Sequence, residues 1–355
     1  MHYKPACGRQ AKFELRPKGK LLFISYYILM KLSELLGRED LKEKFILQKF
    51  LCTFLSCSRE ALWTDMDKEL SDELIQKILT AYKSYVEDKK PLEYILGHVD
   101  FFGREFFVNE ATLIPRPETE YMITATTEFI QEQGAGSKEQ VPGTWNLKPV
   151  TNVLLDIGTG CGVLWISVLL QNPGYFSEAI FTDYFADALE IAKKNYANLV
   201  TDYSWKVQFL QSDLLDFIQN STFNIQNSNI ILVANLPYIP EDTFEANVSD
   251  NVKNREPKPA FVGGDDGLDY YRIMLDQIIG LQDTRSPGEP RAGKEQKPAP
   301  WNLPTGQAGL LPVTMFLEMM TRQVDVLRQL YDDKFVFEEV KTFHFNIRIV
   351  KCWLK

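Results

Sequence analysis

Two hydrophobic rhythms divide the chain. From residue 21 to about 88, apolar residues recur every three or four positions, as in Leu41, Phe45, Ile46, Phe50, Leu51 and Leu55. That is the spacing of helices that bury one face. Gly37 stands where a helix would stop. A further helix is expected over residues 71–86, with Ser71 as its cap and Asp72 and Glu73 in its first turn. Pro91 ends this region, and residues 99–108 read as a short hairpin turning at Gly103. In Ile114-Pro115-Arg116-Pro117-Glu118-Thr119-Glu120, two prolines stiffen the backbone around Arg116. Pro117 suits the first turn of a helix, with Glu118 and Glu120 near its positive end. Residues 134–142 form a polar, glycine-containing linker.

The second rhythm starts at Val153. Short apolar runs at 153–156, 179–183, 207–210 and 230–234 are strand candidates, and 162–171 and 187–199 are the helices between them. Strand–helix alternation of this kind implies a mostly parallel sheet with helices on both faces. Residues 281–312 break the pattern with a polar, proline-rich stretch, expected as a surface loop or insertion. Strands are expected again at 315–318, 334–340 and 346–354.

Composition narrows the function classes. The chain has 355 residues, 45% of them hydrophobic, enough for a real core and one to three domains. A net charge of -9 argues against bulk nucleic-acid binding, although residues 1–20 are locally basic. The five cysteines have irregular spacing and no CxxC pair, and the three histidines are scattered. A reduced, cytoplasmic protein without a metal site is expected. The apolar run 21–30 behind the basic start is too short to span a membrane and is followed by a helical pattern rather than a cleavage site.

Chemistry concentrates at the ends of the predicted strands. Asp156-Ile157-Gly158-Thr159-Gly160-Cys161-Gly162 follows the first of them, and its glycines permit a tight turn and close backbone approach to a ligand. Such a loop serves NAD, FAD or S-adenosylmethionine; the GxGxG spacing, rather than GxGxxG, lowers the dinucleotide reading. Asp183 ends the next strand, where a carboxylate can accept from ribose hydroxyls or simply cap a loop. Asp213 and Leu214 follow the third, placed to meet an adenine amino group and ring, although Asp213 too could simply cap a loop. Asn235-Leu236-Pro237-Tyr238 follows the fourth. An asparagine at a strand end, followed by Pro-Tyr, makes a rigid polar corner that can hold a planar amide or amino group.

These features together resemble the class I S-adenosylmethionine-dependent methyltransferases, whose amino-methylating members carry an (Asn/Asp/Ser)-Pro-Pro-Tyr corner. Pro91-Leu-Glu-Tyr-Ile-Leu-Gly97, Leu113-Ile-Pro-Arg-Pro-Glu-Thr-Glu120, the corner itself and Gly263-Gly-Asp-Asp-Gly-Leu-Asp-Tyr-Tyr-Arg272 are similar to the protein-glutamine N5-methyltransferases, above all the HemK/PrmC group. The likeness covers roughly residues 40–280. It implies a Rossmann-like α/β domain with a seven-stranded, mostly parallel sheet and a small N-terminal helical domain. The helical domain is expected over residues 21–95, a hairpin and linker over 96–130, and the catalytic domain over 131–355.

The implied activity is methylation of the glutamine side-chain nitrogen in the Gly-Gly-Gln motif of class 1 peptide chain release factors. S-Adenosylmethionine would be the donor and S-adenosylhomocysteine the product. Asp156, Gly158, Thr159, Gly160, Cys161, Gly162, Asp183, Asp213, Leu214 and Asn235 would hold the cofactor. Asn235 and the carbonyl of Leu236 would accept hydrogen bonds from the glutamine NH2, with Pro237 stiffening the corner and Tyr238 beside the amide. Arg116 and Glu118 would line the substrate side. Leu236 departs from the family's proline, which predicts a less rigid corner. The resemblance also implies a monomer with no membrane attachment and no direct nucleic-acid contact. Alternatives are a ribosomal-protein glutamine, an N6-adenine target, or a partner-binding module that has lost catalysis.

Overall fold

The computed structural model describes residues 30–136, 151–201, 205–220, 228–282, 312–340 and 346–355. The basic tail 1–20, the start of the apolar run at 21–29, the linker beyond residue 136, His344 and the proline-rich stretch 283–311 lie outside the described residues. The chain divides into two compact units, one ending at Glu87 and the other beginning at Asp88.

The first unit pairs a two-residue strand β1 (Met30–Lys31) with β2 (Glu69–Leu70) and carries helices α1 (Leu32–Gly37), α2 (Lys44–Leu55), α3 (Arg59–Thr64) and α4 (Asp72–Val86). The all-helical expectation therefore needs correcting by one short strand pair; two residues are too few to show a period of two. α4 starts where its cap predicts, with Ser71 Oγ accepting from the backbone N–H of Leu74 at 3.3 Å. Its periodic Ile75 and Ile78 are buried with Leu47, Phe50 and Leu51 of α2.

The second unit opens with α5 (Leu92–Leu96) and the expected hairpin of β3 (His98–Phe101) and β4 (Arg104–Phe107). Its turn places Phe102 and Gly103 at φ 48° and 72°. Two left-handed residues in a row are what a tight two-residue hairpin requires, and they explain the glycine. A 3-10 turn at Pro117–Thr119 leads into α6 (Glu120–Gly136), so Pro117 does begin a helical turn.

Then the alternation takes over: β5 (Thr151–Ile157), α7 (Val163–Gln171), β6 (Glu178–Asp183), α8 (Ala186–Leu199), β7 (Lys206–Gln211), α9 (Phe217–Asn220) and β8 (Ser228–Ala234). Short helices α10 (Glu241–Asn247) and α11 (Asp250–Arg255), a 3-10 turn at Lys258–Ala260 and the long α12 (Asp269–Gln282) precede β9 (Val313–Met320). α13 (Thr321–Tyr331), β10 (Phe335–Val340) and β11 (Ile347–Leu354) close the fold.

The main sheet has seven strands in the order β10-β11-β9-β8-β5-β6-β7. The run from β9 to β7 is parallel, and β11 is antiparallel to both its neighbours. Both faces of β5 are buried: Val153, Leu155 and Ile157 join one core, Leu154 the other. That is why the strand reads as a continuous apolar run. The chain leaves β5 toward β6 and β7 on one side and later adds β8 on the other. At such a switch point the connections diverge, and the carboxyl ends of the strands open a crevice for a ligand. All four chemical motifs follow those strand ends.

Candidate active site

A cavity of about 480 Å3 opens at the switch point. Its walls include Gly158, Thr159, Gly160, Cys161, Asp183, Asp213, Leu214, Asn235, Leu236, Pro237, Arg116 and Thr119. Segments separated by more than one hundred residues in the sequence thus meet at one place. Asp156, Gly162, Glu118 and Tyr238 do not line it.

The glycine loop has the geometry its composition calls for. Gly158, Gly160 and Gly162 have φ of 72°, 55° and 86°, a region that side-chain-bearing residues rarely adopt. The N–H groups of Gly158 and Thr159 both donate to Thr182 O at 2.9 Å, tying the loop to β6. Asp183 fixes it from the next strand, one carboxylate oxygen accepting from Gly160 N and the other from Phe185 N, each at 2.9 Å. The capping role is therefore real, and each oxygen keeps a further lone pair for a ligand. Burial raises the Asp183 carboxyl above its ordinary range, against the lowering effect of those N–H groups.

Asp156 lies beneath the loop and is 1% exposed. Thr159 Oγ1 donates to its Oδ2 at 2.8 Å, while Oδ1 has no hydrogen-bond partner among the described residues. Burial pushes this carboxyl up to about 7. The glycine cradle and the Asp183 carboxylate, which do line the cavity, fit a cofactor that brings donor groups there, with Asp156 supporting the loop from below. Cys161 is buried and pushed up to about 12 by desolvation, so it packs rather than attacks. Leu214 is buried at a φ of 47°, a strained conformation for a leucine that holds it in the cavity wall.

The asparagine corner is braced from several directions. Asn235 Nδ2 donates to Thr119 Oγ1 at 3.1 Å. Thr119 Oγ1 donates in turn to Glu318 Oε2 at 2.8 Å, and the Tyr238 hydroxyl donates to Glu318 Oε1 at 3.0 Å. Gln323 Nε2 donates to the carbonyls of Tyr238 and Asp266, at 2.7 and 2.9 Å. The Tyr271 hydroxyl lies 3.2 Å from Leu236 O and is hydrogen-bonded more tightly to Glu318 O. With one proton to give, it leaves the Leu236 carbonyl a free lone pair. The Leu236 side chain is 3% exposed and packs against Gly158. The corner is thus held by hydrogen bonds and packing rather than by the missing proline. Tyr238 is turned away from the cavity, its hydroxyl committed to Glu318.

Arg116 donates to Glu256 Oε1 at 2.8 Å, and the other Glu256 oxygen accepts from Ile114 N at 3.2 Å. This clasps the Pro-Arg-Pro segment to the C-terminal end of α11. Glu118 faces Glu318 electrostatically and raises its pKa.

No family model matches the sequence. Individual relatives do. A release factor glutamine methyltransferase of Bacillus cereus is 34% identical over 229 residues, spanning 64% of this chain and 72% of the relative. The protein of the same name from Francisella tularensis is 30% identical over 239 residues, 67% of this chain and 74% of that one. The chain belongs to the release factor glutamine methyltransferase family.

Among solved structures, the hMettl16 catalytic domain in complex with a MAT2A 3'UTR hairpin aligns with a TM-score of 0.46 at 13% identity, over 81% of this chain and 84% of that one. The ribosomal protein L11 methylase of Lactobacillus delbrueckii subsp. bulgaricus aligns at 0.36 and 13%, over 68% and 80%. Likenesses this distant bear on neither substrate nor mechanism.

For a release factor glutamine methyltransferase relative, three supporting residues escaped the sequence reading. Glu318 is a lone carboxylate inside the apolar run Met315-Phe316-Leu317-Glu318-Met319-Met320, and that contrast was the available signal. Asn195 is fully buried on α8, bonding both the N–H and C=O of Phe107 and the carbonyl of Cys161. Glu256 gave no local signal. The Gly263–Gly267 motif, left without chemistry by the sequence, packs on the corner: a Cβ at Gly263 would meet Pro237 O at 2.3 Å.

Proposed function

We propose that this chain methylates the side-chain amide nitrogen of the glutamine in the Gly-Gly-Gln motif of a class 1 peptide chain release factor. The observation that carries the reading is the orientation of Asn235. Its donor end is spent on Thr119, which leaves its acceptor end, Oδ1, for a ligand in the cavity. A glutamine NH2 has two protons to give. Asn235 Oδ1 and the Leu236 carbonyl are two acceptors on adjacent residues, suited to holding it in one plane.

S-Adenosylmethionine supplies the methyl group, on a sulfonium that makes it electrophilic. Gly158, Thr159, Gly160, Cys161, Asp183, Asp213 and Leu214 are the residues suited to hold it, with Asp156 and Gly162 behind them shaping the loop. The amide nitrogen is a poor nucleophile because its lone pair is delocalised into the carbonyl. The corner answers that by positioning, since a fixed orientation replaces a rare encounter. Its two acceptors also favour the positive charge that develops on the nitrogen. Arg116, clasped by Glu256, lines the wall through which a substrate loop would approach. The same reading makes the release factor a transient partner and the cytoplasm the place of action.

Asn235→Ala is the test of this arrangement. Methyl transfer to release factor is expected to fall about a hundredfold or more, with cofactor affinity, measured by calorimetry, within about threefold of the parent. Retained transfer would show that the corner does not hold the reacting amide.

A further inference from the structure

Glu318 is the one carboxylate of β9, 1% exposed in the middle of the corner's bracing. It accepts from two hydroxyls, Thr119 at 2.8 Å and Tyr238 at 3.0 Å, and the Asn235 amide adds a weaker donor contact that orients Asn235 the same way. The Thr119 hydroxyl has a single proton, and that proton goes to Glu318. Only lone pairs remain on its oxygen for Asn235, so Asn235 must present Nδ2 to Thr119, as the 3.1 Å bond records. The direction of donation along Asn235–Thr119–Glu318 is therefore set at its far end by an acceptor that cannot donate while ionised.

We infer that Glu318 is a positioning residue for methyl transfer: its carboxylate fixes the direction of this hydrogen-bond chain and thereby keeps Asn235 Oδ1, rather than its NH2, toward the substrate. The inference rests on the glutamine-amide reading above, because a substrate NH2 needs an acceptor opposite it. A reversed chain would set the Asn235 NH2 against the substrate NH2, and the two would repel. Tyr238 contributes by occupying the second Glu318 oxygen, and Glu118 and Tyr271 are the other titratable groups that face this cluster. Burial pushes the Glu318 carboxyl up to about 7, against the lowering effect of its donors Thr119, Tyr238 and Asn235. On acidification through that range Glu318 gains a proton, the Thr119 proton is released toward Asn235, and the amide can turn over.

The test uses the full chain with release factor as substrate, comparing Glu318→Gln, Thr119→Val and Thr119→Ser. Glu318→Gln and Thr119→Val are each expected to lose about tenfold or more in kcat, with KM for release factor and cofactor affinity within about twofold. Thr119→Ser should restore what Thr119→Val loses. The parent kcat should fall as pH drops through about 7, and Glu318→Gln should flatten that limb. Parental kcat and an unchanged pH profile in Glu318→Gln would overturn the inference. So would loss of cofactor binding in Glu318→Gln with Thr119→Val unimpaired, since that marks a merely structural role. A parent chain that leaves release factor unmethylated would remove the glutamine reading itself, and the inference with it.

Discussion

Single residues at this site are chosen for what they accept and for what they leave room for. The Asn235 amide has useful polarity because Thr119 takes its donor end, and the Leu236 carbonyl, with two lone pairs, can accept from a ligand beside the Tyr271 hydroxyl. Gly267 shows the steric side of the same logic. Its φ is 76°, and a Cβ there would lie 2.1 Å from Tyr238 O and 2.4 Å from Gln323 Nε2. Gly267→Ala is therefore expected to cost on the order of 2 kcal/mol or more and to lower methyl transfer by displacing the corner. A urea unfolding curve with an unshifted midpoint would contradict it. None of these contacts is local. Thr119, Asn235 and Glu318 come from three regions of the chain, so a sequence could display Asn235-Leu236-Pro237-Tyr238 and still conceal what holds it.

At the scale of elements, legibility followed burial pattern. The strands β5, β6 and β8 were readable because their middles are apolar and buried on both faces, β7 because Val207, Phe209 and Leu210 still mark a half-buried edge strand, and α4 because Ser71 caps a regular stripe. Strand ends moved by only a residue or two. α12 and α13 were not anticipated, although Tyr271, Met274, Leu275 and Ile278, and then Val324, Leu327 and Tyr331, bury one helical face each; the proline-rich stretch between them drew the reading toward irregular structure. The pairing of β1 with β2 is too short to leave any rhythm. Asn195 could not be read at all, because its work is to join β4, the glycine loop and α8 across the fold. Removing it in Asn195→Ala takes the partner from three backbone groups, one buried and two partly buried. The expected loss is about 2–4 kcal/mol, with cofactor affinity weakened as the Cys161 end of the loop loosens. A stability change near zero in chemical denaturation would contradict this role.

Across the whole molecule, two buried carboxylates set an unusual pH response. Asp156 and Glu318 are both pushed up to about 7, chiefly by burial, from ordinary values of 3.8 and 4.5. The folded state therefore holds protons that the unfolded chain releases. Their contribution to stability is full below the unfolded values and is lost as pH rises through about 7. At about 1.4 kcal/mol per unit, the loss amounts to a few kcal/mol for each group. Without cofactor, the melting temperature is expected to be higher at pH about 5.5 than at pH about 8, and Asp156→Asn should reduce the difference. A cofactor-free melting temperature that rises steadily over that interval would contradict the assignment of these groups. No helix among the described residues is long and apolar enough to cross a membrane.

The most direct test of the central claim is tandem mass spectrometry of a class 1 release factor after incubation with the chain and S-adenosylmethionine. One added methyl group is expected, on the side-chain nitrogen of the Gly-Gly-Gln glutamine, absent when Asn235→Ala replaces the parent. A release factor left unmodified, or methylated at any other residue, by a chain that binds the cofactor would contradict it.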